Sequence, residues 1–321
     1  MKAKHVTDLV GNTPLVRLPR LAENTKATVL VKLEGQNPGG SSKDRIALAM
    51  VRDAEATGNL RPGARIIEAT SGNTGIGLAL VGAATGHPVT LVVSSAVSQE
   101  KRAILLALGA ELIEADWDLH PDSADSARSI AEQLIREDPA AWRPSQYDNP
   151  LNPQAHYGGT GPEIWHDTNH TVTHVVASIG TGGTISGTAR FLKEASAGQV
   201  QVIGADPEGS TYSGLPPGAI VVDGVGSRWT PDLWPSTYSP ELVDRLVTVD
   251  NTRVYRTVRE LAHREGLLVG PSAGLTVAAA LDVAGDAPPH AVVVAIAPDR
   301  GANYLTKAYS DNWLHEQGVK R

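Results

Sequence analysis

The sequence contains no cysteine among its 321 residues. Disulfides, thiolate metal sites and a cysteine nucleophile are therefore excluded, although the redox compartment does not follow from this absence. No apolar stretch approaches the roughly 20 residues that cross a bilayer, and residues 1–11 do not resemble a signal peptide. A net charge of −7 argues against a general nucleic-acid binder, which needs a basic face. We therefore expect a cytoplasmic protein without membrane or nucleic-acid partners.

The composition that is present indicates a folded chain with more than one core. Hydrophobic residues make up 41% of the chain and charged residues 20%, which argues against extensive disorder. A chain of 321 residues exceeds the roughly 250–300 residues at which single cores stop growing. Short apolar runs alternate with helical patterns in both halves of the chain. This alternation predicts an α/β fold with mostly parallel sheets covered by helices.

The apolar periodicity gives approximate boundaries for these elements. The predicted strands cover 29–33, 65–69, 89–93, 112–113, 173–179, 200–205 and 291–297. The predicted helices cover 43–56, 71–85, 99–108, 123–135, 184–195, 252–264 and 273–283. Two stretches break the pattern, a short one at 149–153 and a Gly/Pro-rich one at 208–235. The second is expected to form a long loop over a site.

Three glycine-rich turns, at 70–75, 180–184 and 270–274, are each expected to follow a strand and open a helix. Such turns present free N–H groups and the positive end of a helix dipole to an anion. The turn at 180–184, with three glycines and two hydroxyls, fits a phosphate best. It lacks the Lys-Ser/Thr pair of a nucleoside-triphosphate loop and the third glycine of a dinucleotide fingerprint. The alternatives are an ordinary tight turn at 180–184 and a simple helix cap at 70–75.

Lys43 lies near the predicted start of a helix. The helix dipole disfavours a cation there and lowers the pKa of the amine, which favours a neutral nucleophile. The alternative is a solvated surface lysine. His166, His170 and His174 have a spacing that could bind a metal on a helix, but the β-branched residues around them make a helix poor there. We expect no metal.

In their order and spacing, these motifs resemble the fold-type II, tryptophan synthase β-like, pyridoxal-phosphate (PLP) enzymes of the cysteine synthase and cystathionine β-synthase family. The resemblance runs from Gly11–Asn12–Thr13–Pro14–Leu15 to Pro298–Asp299. The motifs closest to the bacterial cystathionine β-synthase branch are those at 160–165, 206–210 and 265–268. The resemblance implies a large PLP-binding lobe of residues 1–43 and 149–321, and a small mobile lobe of 44–148. It also implies a homodimer without haem or regulatory domains.

The resemblance assigns a role to each motif. Lys43 binds the cofactor aldehyde and later moves the α-proton. The other cofactor contacts come from Asn73 at the ring hydroxyl, Ser272 at the pyridine nitrogen, and the phosphate loop of Gly180, Thr181, Gly182, Gly183 and Thr184. The expected substrate-binding residues are Thr70, Ser71, Thr74, Gln146, Gly226 and Ser227.

The implied reaction is β-replacement on serine or an O-activated serine through an aminoacrylate. The preferred assignment is cystathionine β-synthase, which joins L-serine and L-homocysteine. Cysteine synthase, with O-acetylserine or O-phosphoserine and sulfide, is the first alternative, and a diaminopropionate-type synthase with an amine nucleophile is the second. Arg228, in the loop that faces the nucleophile, leaves the acceptor open. Lys43, Asn73 and Ser272 weigh against a non-catalytic homologue that acts as a binding protein, and the missing fingerprint weighs against a nicotinamide-dependent oxidoreductase.

Overall fold

The computed structural model describes residues 3–70, 72–116, 119–120 and 122–320. The strands are β1 (Leu15–Arg17), β2 (Thr28–Leu33), β3 (Ile66–Ala69), β4 (Val89–Ser94), β5 (Glu111–Ala115), β6 (His174–Ser178), β7 (Gln201–Pro207), β8 (Arg245–Val249) and β9 (Val292–Ala297). The helices are α1 (Lys43–Thr57), α2 (Asn73–Thr85), α3 (Gln99–Ala107), α4 (Ala127–Glu137), α5 (Leu151–Tyr157), α6 (Thr160–Asp167), α7 (Gly183–Ala195), α8 (Asn251–Glu265), α9 (Pro271–Asp286) and α10 (Asp311–Glu316).

The strands form two sheets. The larger sheet has the order β1-β2-β9-β6-β7-β8, and the smaller has the order β3-β4-β5. Only the pairing of β1 with β2 is antiparallel among the pairings of the described residues. Because parallel strands end at the same edge of a sheet, the turns that follow them collect at that edge. The predicted α/β fold with mostly parallel sheets is confirmed.

Each sheet has its own apolar core. In the larger sheet, α9 packs behind β9 and β6 and is buried on nearly every side, as expected for a helix that is apolar all round. In the smaller sheet, Leu78 of α2 and Leu91 of β4 are fully buried in one cluster. The smaller sheet lies within residues 44–148, the segment expected to form the small lobe. The division into lobes itself stays a prediction.

Some element boundaries differ from those predicted. Helix α4 begins at Ala127 and not at Ser123, because the Ser126 hydroxyl caps the helix by accepting a hydrogen bond from the Ser129 N–H at 3.1 Å. Strands β1 and β8 and helices α5, α6 and α10 were not predicted at all. The break at 149–153 is the start of α5, with Pro150 in the capping position. The third glycine turn follows Val269, which makes only an isolated bridge, and not a strand.

The Gly/Pro-rich stretch at 208–235 is irregular except for a single 3-10 turn at Pro231–Leu233. Its Gly226 N–H donates to the Ile179 carbonyl at 2.7 Å, so the loop lies against the residue that follows β6. A Cβ at Gly180 would lie 2.5 Å from the Gly224 carbonyl oxygen, so the two backbones touch with no side chain between them. The loop therefore borders the second glycine turn.

The three histidines considered as metal ligands do not share a helix. Helix α6 ends at Asp167, and His174 begins β6. Across the described ranges, no group of three His, Asp or Glu side chains has the arrangement of a metal site. No helix in those ranges is both long enough and apolar enough to span a membrane.

Candidate active site

A cavity of about 200 Å³ lies where β6 and β9 end. Residues from all three glycine turns line it, together with side chains from α1, α3 and the loop at 223–226. The polar side chains and glycines in its wall are Lys43, Asn73, Thr74, Lys101, Gln146, Tyr147, Ser178, Gly180, Thr181, Gly182, Thr184, Asp223, Gly224, Gly226 and Ser272. The structure therefore brings most of the predicted site residues to one place.

The turn at 180–184 is shaped by the absence of side chains. Gly182 has a φ of +83°, and a Cβ there would lie 2.3 Å from the Tyr238 Cβ. A Cβ at Gly183 would lie 1.9 Å from the Asn152 side-chain oxygen. Because α7 begins at Gly183, its first N–H groups and the positive end of its dipole lie at this turn. This arrangement suits a bound phosphate.

The hydroxyl groups of this turn are held by neighbouring side chains. Asn152 donates to the Thr181 hydroxyl at 3.0 Å, and Thr184 is 3.1 Å from the His156 ring. The other ring nitrogen of His156 lies 2.9 Å from the Thr160 hydroxyl. Burial lowers the pKa of His156 well below its usual value, so the ring is neutral and can orient Thr184 without adding charge. No motif in the sequence points to this role of His156.

Lys43 is the first residue of α1, and its side chain reaches the cavity. Burial lowers the pKa of its amine, while the negative charges of Asp299 and Glu34 act in the opposite direction. The net lowering agrees with the sequence-based expectation, but its main cause is desolvation and not the helix dipole. A buried amine with a lowered pKa is suited to nucleophilic attack on a carbonyl carbon.

Asn73 and Ser272 reach the cavity from two helix starts. Asn73 begins α2, and its amide nitrogen donates to an Asp299 oxygen at 2.7 Å. Its amide oxygen is buried without a partner in the described part of the chain. Ser272 follows Pro271 at the start of α9 and is 4% exposed. Both side chains are therefore positioned to meet a polar ligand.

The predicted substrate-binding residues are only partly gathered here. The Thr74 hydroxyl donates to the Gln146 amide oxygen at 2.6 Å, and both residues line the cavity. Thr70 is buried outside the cavity lining, and its hydroxyl accepts a hydrogen bond from the Gly72 N–H at 3.3 Å. Ser71 lies outside the described residues.

A second cavity of about 430 Å³ adjoins the first and shares Tyr147, Gly180 and Gly226 with it. Ser227 lines this second cavity and not the first. Charged side chains of both signs line it, namely Asp116, Asp122, Arg128, Arg143, Asp148, Arg228 and Asp232. Its wall is therefore suited to a ligand with both a positive and a negative group.

Sequence reasoning did not identify several residues of the cavity wall. Lys101 and Asp223 contribute a second lysine and a carboxylate, and the Asp223 carboxylate is paired with Lys307 at 3.2 Å. Burial raises the pKa of Tyr147 to about 12, so its phenol is protonated. These residues carry no motif of their own, and only the packing of distant segments brings them together.

The cavity fits an aromatic cofactor that carries a phosphate and an aldehyde. The turn at 180–184 lines the cavity at the N-terminal end of α7, and the buried oxygen of Asn73 lacks a partner among the described residues. Lys43 supplies the amine for the aldehyde, and Ser272 supplies a hydroxyl for a ring nitrogen. Each polar group of pyridoxal 5′-phosphate therefore has a complementary group in the wall.

Comparison with known proteins gives a consistent result. The profile of a family described as "Pyridoxal-phosphate dependent enzyme" matches residues 6–299. Cysteine synthase B of Pseudomonas aeruginosa is 43% identical over 95% of this chain and 97% of its own length. Cysteine synthase B of Escherichia coli is 43% identical over 97% of both chains. Cystathionine beta-synthase of Apis mellifera is 40% identical over 96% of this chain and 62% of its own length.

A solved structure also shares the fold at full length. The crystal structure of O-ureido-L-serine synthase superposes with a TM-score of 0.89 at 36% identity, and covers 98% of this chain and 100% of that one. These relatives differ in the product that their names state. The similarity to them extends over nearly the whole chain and includes the described cavity.

Proposed function

Since the chain belongs to the pyridoxal-phosphate dependent enzyme family, we propose that it is a cystathionine β-synthase that joins L-serine to L-homocysteine. Its broader activity is β-replacement on serine or an O-activated serine with pyridoxal 5′-phosphate as cofactor. When bound, the cofactor withdraws electrons from the α-carbon of the amino acid. The protein's own residues then determine which proton moves and which acceptor reaches the β-carbon.

Four groups in the cavity are proposed to hold the cofactor and move the proton. Lys43 binds the cofactor aldehyde and afterwards carries the α-proton, because its lowered pKa allows the amine to accept and return a proton. The turn at 180–184 holds the phosphate. Asn73 contacts the ring hydroxyl, and Ser272 contacts the ring nitrogen. A serine there is neutral, so it does not hold that nitrogen protonated as a carboxylate would.

The donor amino acid is proposed to bind beside α2. Thr74 and Gln146 would hold its carboxylate, together with Thr70 and Ser71. Gln146 is itself held in place. Its backbone N–H donates to the buried Glu68 carboxylate at 3.0 Å, and its side-chain amide donates to the Ala69 carbonyl at 3.3 Å. A fixed amide orients the substrate carboxylate without a large loss of side-chain entropy.

The second cavity is the observation that favours homocysteine as the acceptor. Its volume of about 430 Å³ and its charges of both signs suit a zwitterionic amino acid. Sulfide would leave most of this space without a ligand. The relatives named cysteine synthase B, at 43% identity, make sulfide the second candidate acceptor.

A product analysis tests the proposal. Purified enzyme loaded with cofactor is incubated with serine, O-acetylserine or O-phosphoserine, each with homocysteine, sulfide or an amine, and the products are identified by mass. We expect the highest kcat/KM for serine with homocysteine, and no turnover by Lys43→Ala. Cysteine formation with a higher kcat/KM would assign the enzyme to the cysteine synthases.

A variant of the second cavity tests where the acceptor binds. Arg228→Gln should raise the KM for homocysteine about tenfold, since one charge-assisted contact is lost, and should leave the KM for sulfide unchanged. Equal effects on both acceptors would contradict a homocysteine site in this cavity.

A further inference from the structure

A second lysine lies in the wall of the cofactor cavity. Lys101, the third residue of α3, is 3% exposed and lines the same cavity as Lys43. A buried ammonium group is unfavourable unless other groups bind it. Its Nζ donates to the Tyr304 hydroxyl at 2.7 Å and lies 4.2 Å from the centre of the Tyr304 ring. Lys101 therefore approaches the cavity with a defined partner.

The contact continues from Tyr304 to the cofactor site. The Tyr304 hydroxyl donates to the Asp299 carboxylate, and the Asn73 amide donates to the same carboxylate oxygen at 2.7 Å. Tyr304 and Asp299 are each 1% exposed. Because an ionised carboxylate only accepts hydrogen bonds, both donors have a fixed direction. Lys101, Tyr304, Asp299 and Asn73 therefore form one buried chain, which we call the Lys101–Asn73 chain.

We propose that Asp299 is a positioning residue that fixes the Asn73 amide against the cofactor ring, and that Lys101 keeps Asp299 charged through Tyr304. The inference depends on the cofactor binding in this cavity and not on which acceptor is used. Without the carboxylate, the Asn73 amide could rotate and exchange its nitrogen and oxygen. With it, the amide keeps one orientation, which leaves its oxygen facing away from Asp299.

The charged groups around the Lys101–Asn73 chain support this arrangement. Burial raises the pKa of Asp299, and the positive charge of Lys101 is the largest effect that opposes this rise. Burial lowers the pKa of Lys101. The negative charges of Asp223, Asp299 and Glu100 act in the opposite direction, and the positive charge of Lys307 lowers the pKa further. The negative charge of Asp299 also acts on Lys43. Lys101 is thus the main counter-charge of Asp299, whereas Lys101 itself is stabilised in the charged form first by Asp223 and then by Asp299.

The Lys101–Asn73 chain is not needed merely to join the start of α3 to the segment at 303–307. Three other contacts already connect them: Ser98 donates to the Asn303 carbonyl at 2.8 Å, Glu100 accepts two hydrogen bonds from Thr306, and Lys307 donates to the Ala96 carbonyl at 3.0 Å. The aliphatic part of Lys101 also passes close to Gly72, where a Cβ would lie 2.8 Å from it. A role beyond attachment is therefore reasonable for a lysine buried at this point.

A set of charge variants tests the proposal. Lys101→Met removes the main counter-charge of buried Asp299, and Asp299→Asn removes one of the counter-charges of buried Lys101, so each should lower the melting temperature of the cofactor-free protein. The double variant removes both charges and should recover most of that loss. Asp299→Asn and the double variant should both bind cofactor about tenfold more weakly, since one charge-assisted hydrogen bond is lost, and both should show a shifted visible absorption spectrum.

The spectrum separates positioning from structural support. If the double variant regains both the melting temperature and the wild-type spectrum, the Lys101–Asn73 chain has only a structural role and the proposal is wrong. If stability returns while the spectrum stays shifted, the proposal is supported. Tyr304→Phe keeps the ring and should shift the spectrum in the same direction. It replaces Asp299→Asn in the test if that variant does not fold. An unchanged spectrum of Tyr304→Phe would also overturn the proposal. A wrong acceptor assignment would alter the products of the wild-type enzyme and none of these spectra.

Discussion

At the scale of single residues, Asp44, the neighbour of Lys43, has a pKa close to neutral pH. Asp44 is fully buried, and one oxygen accepts a hydrogen bond from the Gly39 N–H at 2.6 Å. The other oxygen is buried without a partner in the described part of the chain. Burial raises the pKa of Asp44 from 3.8 to about 7, although the Gly39 hydrogen bond acts in the opposite direction. Ionisation of Asp44 therefore opposes folding.

The sign of the pH effect follows from this raised pKa. The folded state binds the proton more tightly than the unfolded state, so the contribution to stability is complete below pH 3.8 and is lost as the pH rises through about 7. Asp44→Asn cannot ionise and keeps an acceptor for Gly39. From about pH 5 to about pH 8, the variant should gain on the order of 2 kcal/mol relative to the wild type.

Urea unfolding at several pH values measures this difference. Asp53→Asn, an exposed substitution on the same helix, is the matched control and should follow the wild type throughout. If the curves of Asp44→Asn and the wild type run parallel, Asp44 does not titrate in this range.

Sequence reasoning could locate candidate site residues where their position depends on local chain geometry. Lys43, Asn73 and the turn at 180–184 stand at helix starts, which the sequence marks with glycine and hydroxyl residues, and the structure gathers them in one cavity. Lys101 and Asp299 could not be found in this way, because their contact joins positions about 200 residues apart through Tyr304. The roles of all these residues remain proposals.

At the scale of elements, α9 determines where Ser272 lies. A Cβ at Gly274 would lie 2.4 Å from a Val258 methyl and 2.6 Å from the Val254 carbonyl oxygen, so α8 and α9 pack in direct contact at that point. Ser272 is only two residues away on the same helix. Any side chain at position 274 would push the start of α9 away from α8, and Ser272 with it.

Gly274→Ala should therefore cost roughly 1–3 kcal/mol of stability through overpacking, and should weaken cofactor binding as Ser272 moves. Gly285→Ala lies on the same helix with no atom within 4 Å of the added Cβ. This control should stabilise the protein by up to about 1 kcal/mol, because alanine is the better helix former. Chemical unfolding and cofactor titration measure both effects. Wild-type cofactor affinity in Gly274→Ala would contradict the claim that the position of α9 determines the position of Ser272.

Element prediction from sequence was best for long apolar segments. Helix α1 and strands β4 and β9 were predicted within one residue of their observed ends. Strand β1 has three residues, none of them fully buried, and so lacks a periodic apolar pattern. Strand β8 is half exposed, and its burial comes from pairing with β7. Such elements depend on tertiary contacts that local sequence does not encode.

At the scale of the whole molecule, the cofactor cavity joins parts of the chain that have separate cores. Asn73 and Lys101 come from helices packed on the smaller sheet, whereas Ser178 and Ser272 come from the larger sheet and the helix behind it. A ligand that binds the folded cavity stabilises the protein by about 2.7 kcal/mol at a concentration one hundred times its Kd. Cofactor binding should therefore stabilise both sheets together.

Removing the cofactor should lower the melting temperature by roughly 5 °C, and adding it back should restore the original value. Scanning calorimetry of loaded, stripped and reconstituted protein measures the shift. Lys43→Ala, which lacks the covalent link, should show a smaller difference. A melting temperature that is independent of the cofactor would contradict binding at the junction of the two sheets.

Backbone contact between the turn at 180–184 and the loop at 223–226 limits how this enzyme can change its acceptor. A Cβ at Gly180 would lie 2.5 Å from the Gly224 carbonyl oxygen, so position 180 cannot gain a side chain unless the loop at 223–226 moves away. The residues just beyond, Ser227 to Trp229, border the second cavity without this restriction. Evolution toward a new nucleophile would therefore act first on those three positions, while the turn at 180–184 stays the same.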